Sequence, residues 1–258
     1  MSLYHFRTGR GEPIVLLHGW GMNASVWEPL LPQLGDRFSI TVVELPGHGD
    51  SRAAGAADLA EWARLCLAVA PAQAFWVGWS LGGQVALRAA MDAPARVDGL
   101  ALLATTPRFI QAADWPFAMP VDTFHQFADA LAKDPNATLM RFLGLQAKGD
   151  EHARETLKML RAEVAQRAPA SRVGLSQGLE LLLHSDLRRE LKQLSCRTHW
   201  VFGSHDTLVP VGARERILDL LPGASSEIID GAGHAPFLSH PKAGLDALVR
   251  AVAVSPRT

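Results

Sequence analysis

Short runs of apolar residues alternate along the chain with stretches in which apolar positions recur every three to four residues. Residues 14–17, 39–43, 75–79, 97–104, 199–202 and 227–229 read as buried strands, because their side chains are apolar on both faces. Residues 57–69 and 81–91 read as helices, and helical patterns return between the last two strands and after Ser239. Short buried strands alternating with helices predict an α/β fold, a mostly parallel central sheet flanked by helices. Between Pro107 and Leu187 the rhythm changes and the pattern is helical throughout, broken by Pro116, Pro120, Pro135 and Pro169. This predicts an inserted helical lid over residues 107–187, above the C-terminal edge of a sheet built from residues 1–106 and 188–258.

Composition narrows the class. The 258 residues are 48% hydrophobic and 20% charged, in the range of a globular enzyme with a filled core. A formal net charge of -1 provides no global attraction for nucleic acid or an anionic membrane, and neither partner is expected. No apolar stretch approaches the roughly 18 residues of a membrane span. The start, Met-Ser-Leu-Tyr-His, has no basic segment followed by an apolar run, so no signal peptide is expected. Cys66 and Cys196 lie in or beside apolar segments and read as free thiols. Together these features predict a cytoplasmic protein.

The candidate chemistry begins at Gly78-Trp79-Ser80-Leu81-Gly82, which falls where a predicted strand runs into a predicted helix. A serine on so sharp a turn exposes its hydroxyl above the sheet, and glycines flank it because side chains would clash there. A serine hydroxyl attacks only when a base takes its proton, and imidazole suits that task near neutral pH. Of the ten histidines, His234 lies in the small-residue loop Gly231-Ala232-Gly233-His234-Ala235-Pro236 after the last predicted strand. Asp206, after the strand at 199–202, is the expected acid that orients the base, with Asp230 as the alternative; the order Ser80, Asp206, His234 is the hydrolase order. His205 reads as a loop residue. His18-Gly19-Trp20-Gly21 follows the first strand, so the N–H of Trp20 and that of Leu81 are the expected oxyanion donors. His18 reads as a brace for that loop, and residues 44–51 as a structural turn. The chain has no G-x-x-x-x-G-K-[ST] phosphate loop, no H-E-x-x-H zinc helix and no early G-x-G-x-x-G, so neither a metal nor a cofactor is expected.

At these motifs the chain resembles the α/β-hydrolase family over essentially its whole length. Within that family it is similar to the pimeloyl-[acyl-carrier protein] methyl ester esterases of biotin synthesis. The likeness lies in His18-Gly19-Trp20-Gly21-Met22-Asn23-Ala24, in Gly78-Trp79-Ser80-Leu81-Gly82-Gly83 and in Gly233-His234-Ala235-Pro236-Phe237 followed by Ser239-His240-Pro241. The resemblance implies a serine carboxylesterase that cleaves the methyl ester of a carrier-bound pimeloyl chain through an acyl-enzyme on Ser80. It implies that Phe142, Leu143, Gly144, Leu145 and Gln146 line the acyl site beside Trp20, Ser80, Leu81 and His234, with Gly144 smaller than its counterpart. It also implies that Arg141, Arg154 and Lys158 dock an acidic acyl carrier protein, although Ala137 stands where a further basic residue is expected. Spacing adds that Arg154, Lys158 and Arg161 share one helix face, interrupted by Glu151 and Glu155. Two other readings stay open: an esterase or lactonase for small free substrates, and a catalytically silent fold used as a binding module.

Overall fold

The computed structural model describes residues 3–55 and 58–253. The apolar runs form one seven-stranded sheet: β1 (His5–Gly9), β2 (Glu12–Leu17), β3 (Phe38–Val43), β4 (Ala74–Trp79), β5 (Val97–Leu103), β6 (Arg197–Gly203) and β7 (Ser225–Ile229). Their spatial order is β1-β3-β2-β4-β5-β6-β7, and every neighbouring pair is parallel except β1 with β3. Leu17 pairs with Gly78, Trp79 with Leu103, and Gly203 with Ile229, so the strand ends that precede the motif loops share one edge. In such sheets, ligands bind outside the carboxyl ends of the strands. The six expected strands are all present. β1 was not among them: its residues are half-buried or exposed, so it lacks the apolar run that marks the inner strands.

Helices cover both faces: α1 (Leu31–Gly35), α2 (Leu59–Val69) and α3 (Leu81–Asp92) before the insertion, α4 (Val121–Lys133), α5 (Pro135–Ala147), α6 (Ala153–Ala165) and α7 (Arg172–His184) within it, and α8 (Ala213–Leu220), α9 (Pro236–Ser239) and α10 (Pro241–Ala253) after it. Helix α2 begins behind Asp58, whose carboxylate accepts from the Ala60 N–H; residue 57, the expected start, lies outside the described residues. Asp134 and Ser171 cap α5 and α7 in the same way. Among the described residues no helix is long and apolar enough to cross a membrane.

The periodicity predicts helix throughout the insertion, and the structure departs from that at its start. Residues 107–120 are an irregular arm, stitched by a bridge between Ile110 and Met119 and by the Trp115 indole, which donates to the Arg108 carbonyl at 3.0 Å. Pro107, Pro116 and Pro120 remove the backbone donors a helix needs, and the apolar residues Phe109, Ile110 and Trp115 are buried against the core. The two ends of the insertion meet. Leu187 N–H donates to the Pro107 carbonyl at 2.9 Å, and Arg108 pairs with Asp186 at 2.8 Å. Burial pushes the Cys66 thiol up and the Cys196 thiol up to about 11, so both free thiols stay protonated at neutral pH.

Candidate active site

Ser80 sits between β4 and α3 with φ 56° and ψ −120°. A residue with a Cβ is strained there, at a cost of about 1–2 kcal/mol. The surroundings enforce the turn: a Cβ at Gly78 would come 2.5 Å from the Gly82 carbonyl, and one at Gly82 would strike the carbonyls of Leu17 and His18. The Ser80 N–H donates to the Leu103 carbonyl at 2.9 Å, and the Thr105 hydroxyl donates to the Ser80 carbonyl. The hydroxyl is thereby carried over the edge of the sheet on a backbone held from both sides.

Three side chains join in one hydrogen-bonded line. Ser80 Oγ lies 2.9 Å from His234 Nε2, and His234 Nδ1 lies 2.8 Å from Asp206 Oδ2. The other carboxylate oxygen of Asp206 accepts from the N–H groups of Leu208 and Val209 at 2.8 and 2.9 Å. This leaves Oδ2 alone to face the imidazole. All three residues are buried, His234 to 1% exposure. Asp230, the alternative acid, is exposed and accepts instead from the Ser204 hydroxyl at 3.0 Å, and His205 is exposed on its loop.

The Trp20 and Leu81 N–H groups have no acceptor among the described residues, as a site for a developing oxyanion requires. The Trp20 indole turns away and donates to the Leu175 carbonyl of α7 at 2.9 Å, with its ring edge-on to Phe142 at 4.7 Å. Gly178 of α7 makes room for it, since a Cβ there would come 2.6 Å from the indole and 3.3 Å from Leu81. Phe142 and Leu143 are buried, Gly144 opens onto unfilled space, Leu145 is half-buried, and the buried Gln146 carboxamide oxygen has no partner among the described residues. Arg141, Arg154 and Lys158 are exposed on α5 and α6; Arg141 stacks over Phe127, and Arg154, Lys158 and Arg161 border a surface groove with Glu155 and Leu157.

Beside the Gly19–Trp20 loop lies His18, fully buried. Its Nδ1–H donates to the Gly19 carbonyl at 2.8 Å and its Nε2 accepts the Leu45 N–H at 3.0 Å. Burial, with the neighbouring His48, lowers its pKa to about 3, so it stays neutral and acts as a brace between the loops after β2 and β3. Glu44 is likewise buried. It accepts from the N–H groups of Ala24 and Asp50 at 3.2 and 2.6 Å, and burial raises its pKa.

One residue had no sequence signal. Asp150, in the turn between α5 and α6, is 6% exposed; its carboxylate accepts from the Gly233 N–H and the His152 N–H, each at 2.7 Å. The His234 N–H donates to the Gln146 carbonyl at 3.1 Å, and the Glu151 N–H to the Gly231 carbonyl at 2.9 Å. The insertion therefore grips the loop that carries His234. Asp150→Ala would leave the Gly233 N–H buried without an acceptor and loosen that loop. The expected result is a kcat on a small ester lower by roughly ten- to a hundredfold with KM little changed, because misplacing a reacting group acts on the chemical step. Asp150→Asn, which keeps one acceptor oxygen, should lose less. A wild-type kcat in Asp150→Ala would show that the loop holds without it.

The Alpha/beta hydrolase family model matches residues 14–247 of the chain. A protein of Xanthomonas oryzae pv. oryzae (strain MAFF 311018), named pimeloyl-[acyl-carrier protein] methyl ester esterase, is 42% identical over 248 residues, covering 96% of this chain and 98% of its own. A protein of the same name from Methylococcus capsulatus is 42% identical over 240 residues, covering 93% and 94%. Among solved structures, the esterase EaEST from Exiguobacterium antarcticum superposes with a TM-score of 0.87 at 25% identity, over 97% of this chain and 95% of that one.

Proposed function

This chain belongs to the alpha/beta hydrolase family, and from that premise we infer that it is a carboxylic ester hydrolase whose substrate is the methyl ester of a pimeloyl chain on acyl carrier protein, in biotin synthesis. The observation that carries the mechanism is the unbroken line from Ser80 Oγ through His234 to Asp206. The names borne by relatives similar over nearly the full chain support the substrate.

In this reading His234 Nε2 takes the Ser80 proton as Oγ attacks the ester carbonyl. The Trp20 and Leu81 N–H groups receive the oxyanion, and His234 returns the proton to the departing methoxide. Methanol leaves, and the pimeloyl chain remains esterified to Ser80. Water, activated by the same imidazole, then attacks the acyl-enzyme and releases the free carboxylate, still attached at its far end to the carrier. Asp206 holds Nδ1 protonated throughout and stabilises the imidazolium. The apolar wall of Phe142, Leu143 and Leu145 suits a methylene chain, and residues 107–187 serve as the lid over it.

Arg141, Arg154 and Lys158 are assigned to carrier docking. Reversing all three to glutamate should lower kcat/KM for the carrier-bound ester by at least about tenfold, chiefly through encounter rate, because exposed charges steer association. Single changes should be nearly silent, each exposed pair being worth about 0.2–1 kcal/mol. Hydrolysis of a small free ester should stay at the wild-type rate, and added salt should reproduce the defect in the wild type by screening the same field. The measurement is methanol release from the carrier-bound ester beside turnover of the free ester. Failure of the wild type to hydrolyse the carrier-bound ester, while it turns over the free one, would favour a general esterase. Equal loss on both substrates in the triple variant would mean a damaged lid.

A further inference from the structure

At the outer end of the joint between the lid turn and the His234 loop, Glu151, His152 and His240 bring one ligand atom each within 4.8 Å of one another. We propose that these three residues form a binding site for a divalent transition-metal ion of the zinc type, clamping the lid turn to the segment that carries His234. Two imidazoles and one carboxylate are the donor set that borderline-soft ions such as zinc and cobalt select over magnesium or calcium.

The site is more than a chance surface cluster because each ligand residue is held from behind. The His152 N–H donates to Asp150 Oδ1 at 2.7 Å, and the Glu151 N–H donates to the Gly231 carbonyl at 2.9 Å. The Glu151 side chain lies flat on Gly231, where any Cβ would collide with its carboxylate. The Ser239 hydroxyl, which donates to the Ala235 carbonyl, lies 2.9 Å from His240 Nδ1 and holds the ring, leaving Nε2 as its other nitrogen. The two imidazoles lie side by side with ring centroids 5.1 Å apart and planes tilted by 40°. Ligand atoms around tetrahedral zinc lie roughly 3.4 Å apart, given zinc–nitrogen bonds of about 2.1 Å. From separations within 4.8 Å, the ligand atoms close by roughly 1 Å on binding. Glu151 and His152 are exposed, so solvent ions reach them, while the half-buried His240 provides the inner end. His234 is not a competing ligand, since both its ring nitrogens are engaged and it is buried.

The test uses the full chain, stripped with a chelator and titrated with zinc chloride in a non-coordinating buffer at neutral pH. Calorimetry follows uptake, and melting temperature follows stability. The expected result is one saturable zinc per chain, a rise in melting temperature, and no displacement by excess magnesium. His152→Ala, His240→Ala and the near-isosteric Glu151→Gln should each weaken uptake by at least about tenfold and abolish the stabilisation. Cobalt in place of zinc should give visible absorption that the same variants lose. Ser80-dependent hydrolysis of a small ester by the metal-free variants reports that they are folded. No saturable uptake by the wild type would overturn the proposal. So would unchanged uptake in His152→Ala/His240→Ala, which would place the metal at another histidine such as His199 beside Glu227.

Discussion

Ser80→Ala is expected to lower kcat on any ester by about four orders of magnitude or more while leaving the protein folded, because in the proposed mechanism Ser80 carries the acyl group. The alanine inherits φ 56° and the two backbone hydrogen bonds at that position, so the turn has no reason to change. Among the described residues, the hydrogen bond lost is the one from Oγ to His234. His234→Ala should be about as damaging, and the double variant no worse than either single one, since nucleophile and base act as a unit. Ser80→Gly separates chemistry from strain. It should be as inactive as the alanine variant yet melt higher, because glycine adopts a positive φ without the strain of a Cβ. The measurement is kcat on a chromogenic ester with melting temperature for each variant. Activity above about 10% of wild type in Ser80→Ala would remove Ser80 from the mechanism, triad losses being far larger.

Asp206→Asn is expected to lower kcat by about 10⁴-fold with the fold retained, for a reason set by its hydrogen bonds. Oδ1 must remain an oxygen, because it accepts from the Leu208 and Val209 N–H groups. The new amide nitrogen is then forced to face His234, where a donor meets a donor. The imidazole answers by carrying its proton on Nε2, and an Nε2–H cannot take the proton of Ser80. Asp230→Asn should be mild, since Asp230 is exposed and its partner is the Ser204 hydroxyl. A damaging Asp230→Asn beside an active Asp206→Asn would transfer the orienting role to the other acid.

These two acids show how far a linear reading goes. Both follow a late strand and both lie near the base, in sequence or in expected space. The choice between them in the sequence rests on position after β6, and the hydrogen bonds of the folded chain give each its separate partner. The strand-to-helix turn at Ser80 is legible locally, because glycine at 78 and 82 and an apolar strand running into a helix are short-range signals. The six inner strands are legible for the same reason: burial on both faces leaves a continuous apolar run. Strand β1 is not, because an edge strand with half-exposed residues takes its place from pairing with β3, which is non-local. The arm at 107–120 carries helix-like apolar spacing, yet its prolines and its contact with Asp186 override that pattern.

The chain by itself therefore determined the class of fold, the strained turn and the kinds of side chain gathered for ester hydrolysis, since each rests on propensities that act over a few residues. Tertiary structure alone decided that Asp150 reaches Gly233 from the inserted segment, that Gly178 receives the Trp20 indole, and that Glu151 and His152 meet His240. Such contacts join residues far apart in sequence. No local periodicity encodes them, because they exist only once burial of apolar surface has brought the inserted segment and the sheet's loops together.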